Sequence, residues 1–126
     1  MKTISINTLN TMKENEEKFA VLTAYDYTFS RLIESSSIEV SLVGDSLGNV
    51  IQGCDSTIPV TVDEMAYHTA AVKRGNKRSL LVSDMPFMSY STEVNALDNA
   101  AVIMQAGAQM VKLEGGEWLA DTVYLL

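Results

Sequence analysis

The sequence is poor in the residues from which several common chemistries are built. It carries one cysteine and one histidine in 126 residues. A lone cysteine, Cys54, cannot close an intrachain disulfide, which fits a reducing, cytoplasmic setting. As a nucleophile Cys54 would need a base, and His68 is the only imidazole; a packed or half-exposed thiol is the plainer reading. Positive charge is also scarce: nine Lys and Arg face sixteen Asp and Glu, a formal net charge of -7. That balance argues against nucleic acid as a partner. The densest basic group, Lys73, Arg74, Lys77 and Arg78, falls around a helix end, where cations favour the helix dipole. No apolar run approaches the ~20 residues of a membrane helix. The opening Met1-Lys2-Thr3-Ile4-Ser5-Ile6-Asn7 has no apolar core of a signal peptide. No membrane partner is expected; small molecules are.

Hydrophobic residues make up 47% and charged residues 20% of the chain, an ordinary globular composition. The length suits one domain and is too short for two. Strand and helix patterns alternate. Residues 19–24 read as a first buried strand, 27–36 as a helix, and 38–43 as a second strand. A connection with Gly44, Gly48 and Gly53 leads to Thr61-Val62-Asp63-Glu64, a capping box with Thr61 as N-cap. It opens a helix over 62–75, which Gly75 can close. Residues 79–83 form a third strand. The next helix shows Val94, Leu97, Ala101, Met104 and Ala108 at the spacing of a core-facing stripe, and Gly107 ends it. A fourth strand covers 109–113, and Glu117-Trp118 begins a fourth helix. Residues 6–17 read as a polar helix lying across the bottom of the fold.

Val- and Leu-rich strands without polar alternation, separated by helices, indicate a parallel α/β sheet. Four βα units are half of a (β/α)8 TIM barrel, which needs ~250 residues in total. The last residues, Thr122-Val123-Tyr124-Leu125-Leu126, are apolar and carry no cap, so 1–126 is expected to be the N-terminal half of one barrel domain, cut in its fourth helix.

Three acidic residues close three of these strands: Asp45, Asp84 and Glu114. Carboxylates at the C-terminal ends of successive parallel strands share one rim. Lys112 precedes Glu114 by two residues, so strand alternation puts both side chains on one face. Converging carboxylates repel one another unless a cation is present, and oxygen donors alone fit Mg²⁺ better than zinc. Taken singly, each has a plainer reading: Asp45 and Ser46 as a helix-capping turn, Asp84 as a turn cap, Glu114 as a solvated carboxylate, Lys112 as its structural partner. Gly44-Asp45-Ser46-Leu47 also spells a serine-esterase signature. That family needs a histidine three residues after an aspartate, and no Asp-x-x-His occurs here.

Longer stretches carry a resemblance. They are Thr23-Ala24-Tyr25-Asp26-Tyr27, Leu42-Val43-Gly44-Asp45-Ser46-Leu47-Gly48, and Gln52-Gly53-Cys54-Asp55-Ser56-Thr57-Ile58-Pro59-Val60-Thr61. Tyr67-His68-Thr69-Ala70-Ala71-Val72, Asp84-Met85-Pro86-Phe87-Met88 and Val111-Lys112-Leu113-Glu114-Gly115-Gly116-Glu117-Trp118 follow. In this order they closely resemble the ketopantoate hydroxymethyltransferase (3-methyl-2-oxobutanoate hydroxymethyltransferase) family, of the pyruvate/phosphoenolpyruvate barrel superfamily.

The resemblance implies transfer of a hydroxymethyl group from 5,10-methylenetetrahydrofolate to 3-methyl-2-oxobutanoate. The product is 2-dehydropantoate, formed through a Mg²⁺-stabilised enolate in pantothenate biosynthesis. It implies Asp45 and Asp84 as metal ligands, with Glu114 completing the site directly or through water. Asp45, Ser46, Asp84 and Lys112 are implied as substrate contacts, and a cytoplasmic homo-oligomer as the assembly. The family's general base, a glutamate, falls in the second half of the barrel, so no residue here is assigned as catalytic base and the chain alone is expected to be inactive. Cys54 stands where family members often carry histidine. Other readings stay open: another Mg²⁺-dependent oxoacid lyase or mutase, a Schiff-base aldolase using Lys112, or a non-catalytic, metal-binding remnant.

Overall fold

The structure, a computed structural model, describes residues 3–126. Its elements run α1 (Ile6–Glu14), β1 (Val21–Thr23), α2 (Tyr27–Ser35), β2 (Val40–Val43), α3 (Leu47–Val50), α4 (Val62–Gly75), β3 (Leu80–Asp84), α5 (Glu93–Gln105), β4 (Met110–Lys112), a 3₁₀ turn (Glu117–Leu119) and α6 (Ala120–Leu125). The four strands form one parallel sheet in the order β1-β2-β3-β4. The register pairs Val40 with Leu80, Val43 with Ser83, and Asp84 with Lys112. Four successive parallel strands alternating with helices in chain order match the TIM-barrel type of fold expected from the strand and helix pattern.

Alternation along β2 and β3 divides two apolar clusters between the faces of the sheet. Val43 and Leu81 point to the helices and join Ile33, Met65, Val72, Ala96, Ala100 and Ile103 in the main core. Val40, Leu80 and Val82 point to the opposite face, where Ile4 and Leu9 pack on them. The Ile4 N–H donates to the Arg78 carbonyl at 2.8 Å. The chain leading into α1 is thereby tied to the N-terminal end of β3, and of α1 itself Leu9 packs against that cluster.

Local signals fix most helix ends. Thr61 and Glu64 form the expected capping box, Thr61 Oγ1 accepting from the Glu64 N–H and Glu64 accepting from the Thr61 N–H at 2.8 Å. Ser5 and Thr8 make a second such box on α1. The basic group also has structural work near the N-terminal ends of the strands: the backbone N–H groups of Lys77 and Arg78 donate to Glu34, and Arg78 donates to the Ile38 carbonyl.

Two expectations are overturned. β1 is not buried: it is an edge strand, with Val21 and Leu22 each 48% exposed, because among the described residues only β2 pairs with it. The stripe on α5 is also a different one. Val94, Leu97 and Met104 are exposed, Ala101 is exposed with them, and only Ala108, beyond the helix, is buried. The buried residues of α5 are Ala96, Ala100 and Ile103. Small alanines let the helix axis approach α4 and the sheet closely, and one large side chain fills the space that remains.

Candidate active site

The residues that end β2, β3 and β4 converge at the C-terminal rim. Register alone sets Asp84 beside Lys112, and Lys112 Nζ lies 2.8 Å from Asp84 Oδ1 and 3.0 Å from Glu114 Oε1. Lys112 and Glu114 therefore share a face, as strand alternation requires. On the other side, Asp84 Oδ2 accepts the backbone N–H of Asp45 at 3.0 Å. Asp84 is thus the buried centre of the group, its side chain 8% exposed against 80% for Glu114. It does not cap a turn. Asp45, Asp84, Lys112 and Glu114 line one cleft of about 170 Å³, together with Thr57, Met85, Phe87 and Tyr90.

Three carboxylates around one ammonium leave excess negative charge in a half-enclosed space. Burial, then the charge of Asp84, push the Asp45 carboxyl above its ordinary range, and Lys112 offsets only part of this. Burial works against the Lys112 ammonium, but its close contacts with the carboxylates of Asp84 and Glu114 outweigh that and hold its pKa above the ordinary value. Asp84 Oδ1 is buried with no hydrogen-bond partner, the Lys112 contact being a close charge pair without hydrogen-bond geometry.

These features fit a hard divalent cation: oxygen donors only, a buried carboxylate oxygen met by a charge pair but by no hydrogen bond, and more negative than positive charge. As the side chains lie, no three acidic, thiol or imidazole groups among the described residues stand close enough to grip one ion. Lys112 occupies the middle ground between Asp84 and Glu114. A cation held by Asp45 and Asp84 would be completed by the exposed Glu114 after a side-chain rotation, or through water.

Ser46 stands at the N-cap position of α3 but makes no capping hydrogen bond. Its hydroxyl lies 2.8 Å from the phenol of Tyr25. The esterase arrangement is absent, since Ser46 faces a phenol and His68 Nδ1 is engaged 2.7 Å from the Tyr25 carbonyl. Asp26, the acidic residue after β1, does not join the cluster; its side chain caps α2 through the Phe29 N–H at 2.8 Å. Cys54 is half-exposed and lies outside the cleft.

Sequence reasoning did not single out Tyr25, Thr57, Phe87 or Tyr90. Tyr25 follows the end of β1 much as Asp45 follows the end of β2, so the rim rule applied to every strand would have found it. Phe87, Tyr90 and Glu114 also line an adjoining hollow of about 230 Å³ with Met88, Ser91 and Trp118, where the rings of Tyr90 and Trp118 stack 6.5 Å apart.

Comparison with known proteins places the chain in a family. The chain is 58% identical over 125 residues to the 3-methyl-2-oxobutanoate hydroxymethyltransferase of Marinomonas sp. (strain MWYL1), covering 99% of this chain and 46% of that protein. It is 56% identical over 126 residues to the one from Cronobacter sakazakii, covering 100% and 48%. The chain therefore spans about half the length of the curated relatives it matches. Among solved structures it is similar to 2,3-dimethylmalate lyase, a PEP mutase/isocitrate lyase superfamily member, with a TM-score of 0.63 at 15% identity over 83% of this chain and 37% of that one. Oxaloacetate acetylhydrolase gives a TM-score of 0.61 at 11% identity, over 88% and 40%. At such identities these likenesses speak for the barrel fold alone. A family model described as ketopantoate hydroxymethyltransferase matches residues 3–126, and with relatives this similar the chain belongs to the ketopantoate hydroxymethyltransferase family.

Proposed function

We propose that this chain carries the metal-binding and oxoacid-binding half of an enzyme that transfers a hydroxymethyl group from 5,10-methylenetetrahydrofolate to 3-methyl-2-oxobutanoate. The product is 2-dehydropantoate, a precursor of pantothenate. The observation that supports this best is the buried Asp84, bonded on one side to the Asp45 backbone and paired on the other with Lys112.

In this reading Asp45 and Asp84 hold Mg²⁺, with Glu114 completing the set. Mg²⁺ held there would supply Lewis-acid polarisation of the oxoacid's keto group, which acidifies the adjacent C3–H. Lys112 supplies a fixed positive charge to the negative oxoacid. Ser46 donates a hydrogen bond to one of its oxygens. The burial of Asp84 limits water around its carboxylate, which strengthens the interactions that carboxylate makes. The proton-abstracting base is assigned to the family's later glutamate, outside residues 1–126. A cytoplasmic homo-oligomer is part of the same proposal. Its support is the exposed apolar surface on α5 and α6, where Val94, Val123 and Tyr124 are 58–89% exposed.

The test follows the C3 proton of 3-methyl-2-oxobutanoate by NMR in D2O, without folate, using the full-length protein. Exchange that needs Mg²⁺ and stops with EDTA supports the reading. Exchange unaffected by EDTA, or none in the presence of Mg²⁺, removes it.

A further inference from the structure

Tyr25 is fixed from both ends. Its carbonyl lies 2.7 Å from His68 Nδ1, and because a carbonyl only accepts, that nitrogen carries a proton. His68 projects from α4, with the Tyr67 ring packed edge-on against it at 5.2 Å. The Tyr25 phenol reaches Ser46 Oγ at 2.8 Å, across from the end of β1 to the end of β2. Neither contact is needed for local secondary structure. Ser46 even forgoes the cap of α3 that its position offers.

The pair borders a notch. A Cβ added to Gly44 would lie 2.9 Å from Ser46 Oγ, 3.5 Å from Asp84 Oδ2 and 3.7 Å from the Tyr25 hydroxyl oxygen. Oxygens from three strand ends thus flank a notch too narrow for a Cβ, and they approach one another this closely because residue 44 has no side chain. Asp84 Oδ2 also takes the Asp45 N–H, so the notch adjoins the carboxylate cluster.

We propose that Tyr25 is a positioning residue for Ser46: its phenol donates to Ser46 Oγ and leaves the serine's single proton free to donate, beside the carboxylate cluster, to an oxygen of the bound oxoacid. The inference rests on the oxoacid reading given above. A phenol is the more acidic of the two hydroxyls and therefore the stronger donor, and serine has one proton to place. Without the phenol, the Ser46 side chain is released to bond a free N–H in the first turn of α3, the usual role of serine there.

The test is a double-mutant cycle on the full-length protein, reading calorimetric affinity for 3-methyl-2-oxobutanoate with saturating Mg²⁺. Tyr25→Phe keeps the ring and removes only the hydroxyl. It is expected to weaken binding about tenfold, the size of one hydrogen bond to a charged ligand, and to leave Tm within about 2 °C of wild type, since the ring packing is kept. Ser46→Ala is expected to weaken binding at least as much, and the double variant no further than Ser46→Ala alone. Wild-type affinity in Tyr25→Phe, or effects that multiply in the double variant, overturn the positioning role while leaving the oxoacid site in place. A wild-type protein that binds no oxoacid overturns both.

Discussion

Lys112 Nζ lies 2.8 Å from Asp84 Oδ1, between partners in register on β3 and β4, and the same ammonium reaches Glu114 at 3.0 Å. One cation thus stands between two carboxylates at the rim, while a third, Asp45, is raised in pKa by burial and by Asp84. The lysine holds together a cluster whose members would otherwise repel one another.

Replacing Lys112 by Gln should expose that repulsion. Asp84 Oδ1 is buried without a hydrogen-bond partner, and losing Lys112 as its charge partner should destabilise the fold by about 1–3 kcal/mol. Added Mg²⁺ should raise the Tm of this variant more than that of wild type. Thermal melts with and without Mg²⁺ check this; an equal Mg²⁺ response in both proteins would contradict it.

Gly44→Ala should damage binding more than folding. Its Cβ would fall 2.9 Å from Ser46 Oγ, closer than such contacts allow, and the serine hydroxyl is the atom that can move. Affinity for the oxoacid is expected to fall at least tenfold, the scale of one lost charge-assisted hydrogen bond. Circular dichroism should stay unchanged. Calorimetry showing wild-type affinity would refute the notch.

The Thr61–Glu64 box should give α4 a pH-dependent contribution. Hydrogen bonds from Thr61, its backbone N–H first, lower the Glu64 pKa below 4.5 in the folded state. Stability from this group is therefore present above the unfolded value and lost as pH falls through the lower folded one. Thr61→Ala should cost about 1 kcal/mol at neutral pH and reduce the slope of stability against pH in the acid range. Denaturant melts from pH 3 to 7 test both effects.

The 126-residue chain by itself should self-associate. β1 and β4 are open edges, Val21 and Leu22 are each 48% exposed, and Met110 is 37% exposed. Unpaired parallel edges with apolar side chains recruit further strands. Light scattering on the isolated chain should show multimers, and a monodisperse monomer would count against this.

The rim was legible in the sequence because each strand announces its own end. Apolar runs stop at Asp45, Asp84 and just before Glu114, and alternation alone pairs Lys112 with Glu114. The Thr61 cap was equally legible, its signal lying within four residues. The faces of α5 were not. Its larger apolar residues, Val94, Leu97 and Met104, follow helical spacing yet stay exposed, while Ala96 and Ala100 carry the packing. Spacing weights size, and close helix packing favours its absence. The edge position of β1 depends on which strands lie beside it, a tertiary fact. The place of Tyr25 at the rim was legible, two residues past β1, but its contacts were not, since Ser46 and His68 lie 21 and 43 residues away.

The most direct measurement of the central claim is a titration with Mn²⁺, an EPR-visible substitute for Mg²⁺, on full-length wild-type protein and on Asp84→Asn. The account predicts one site per chain in wild type, displaced by Mg²⁺ and tightened by 3-methyl-2-oxobutanoate. In Asp84→Asn that site should weaken at least a hundredfold, since a carboxylate oxygen is among the strongest donors a hard cation can take. Binding that the Asp84→Asn change leaves intact, or no stoichiometric site in wild type, would contradict it.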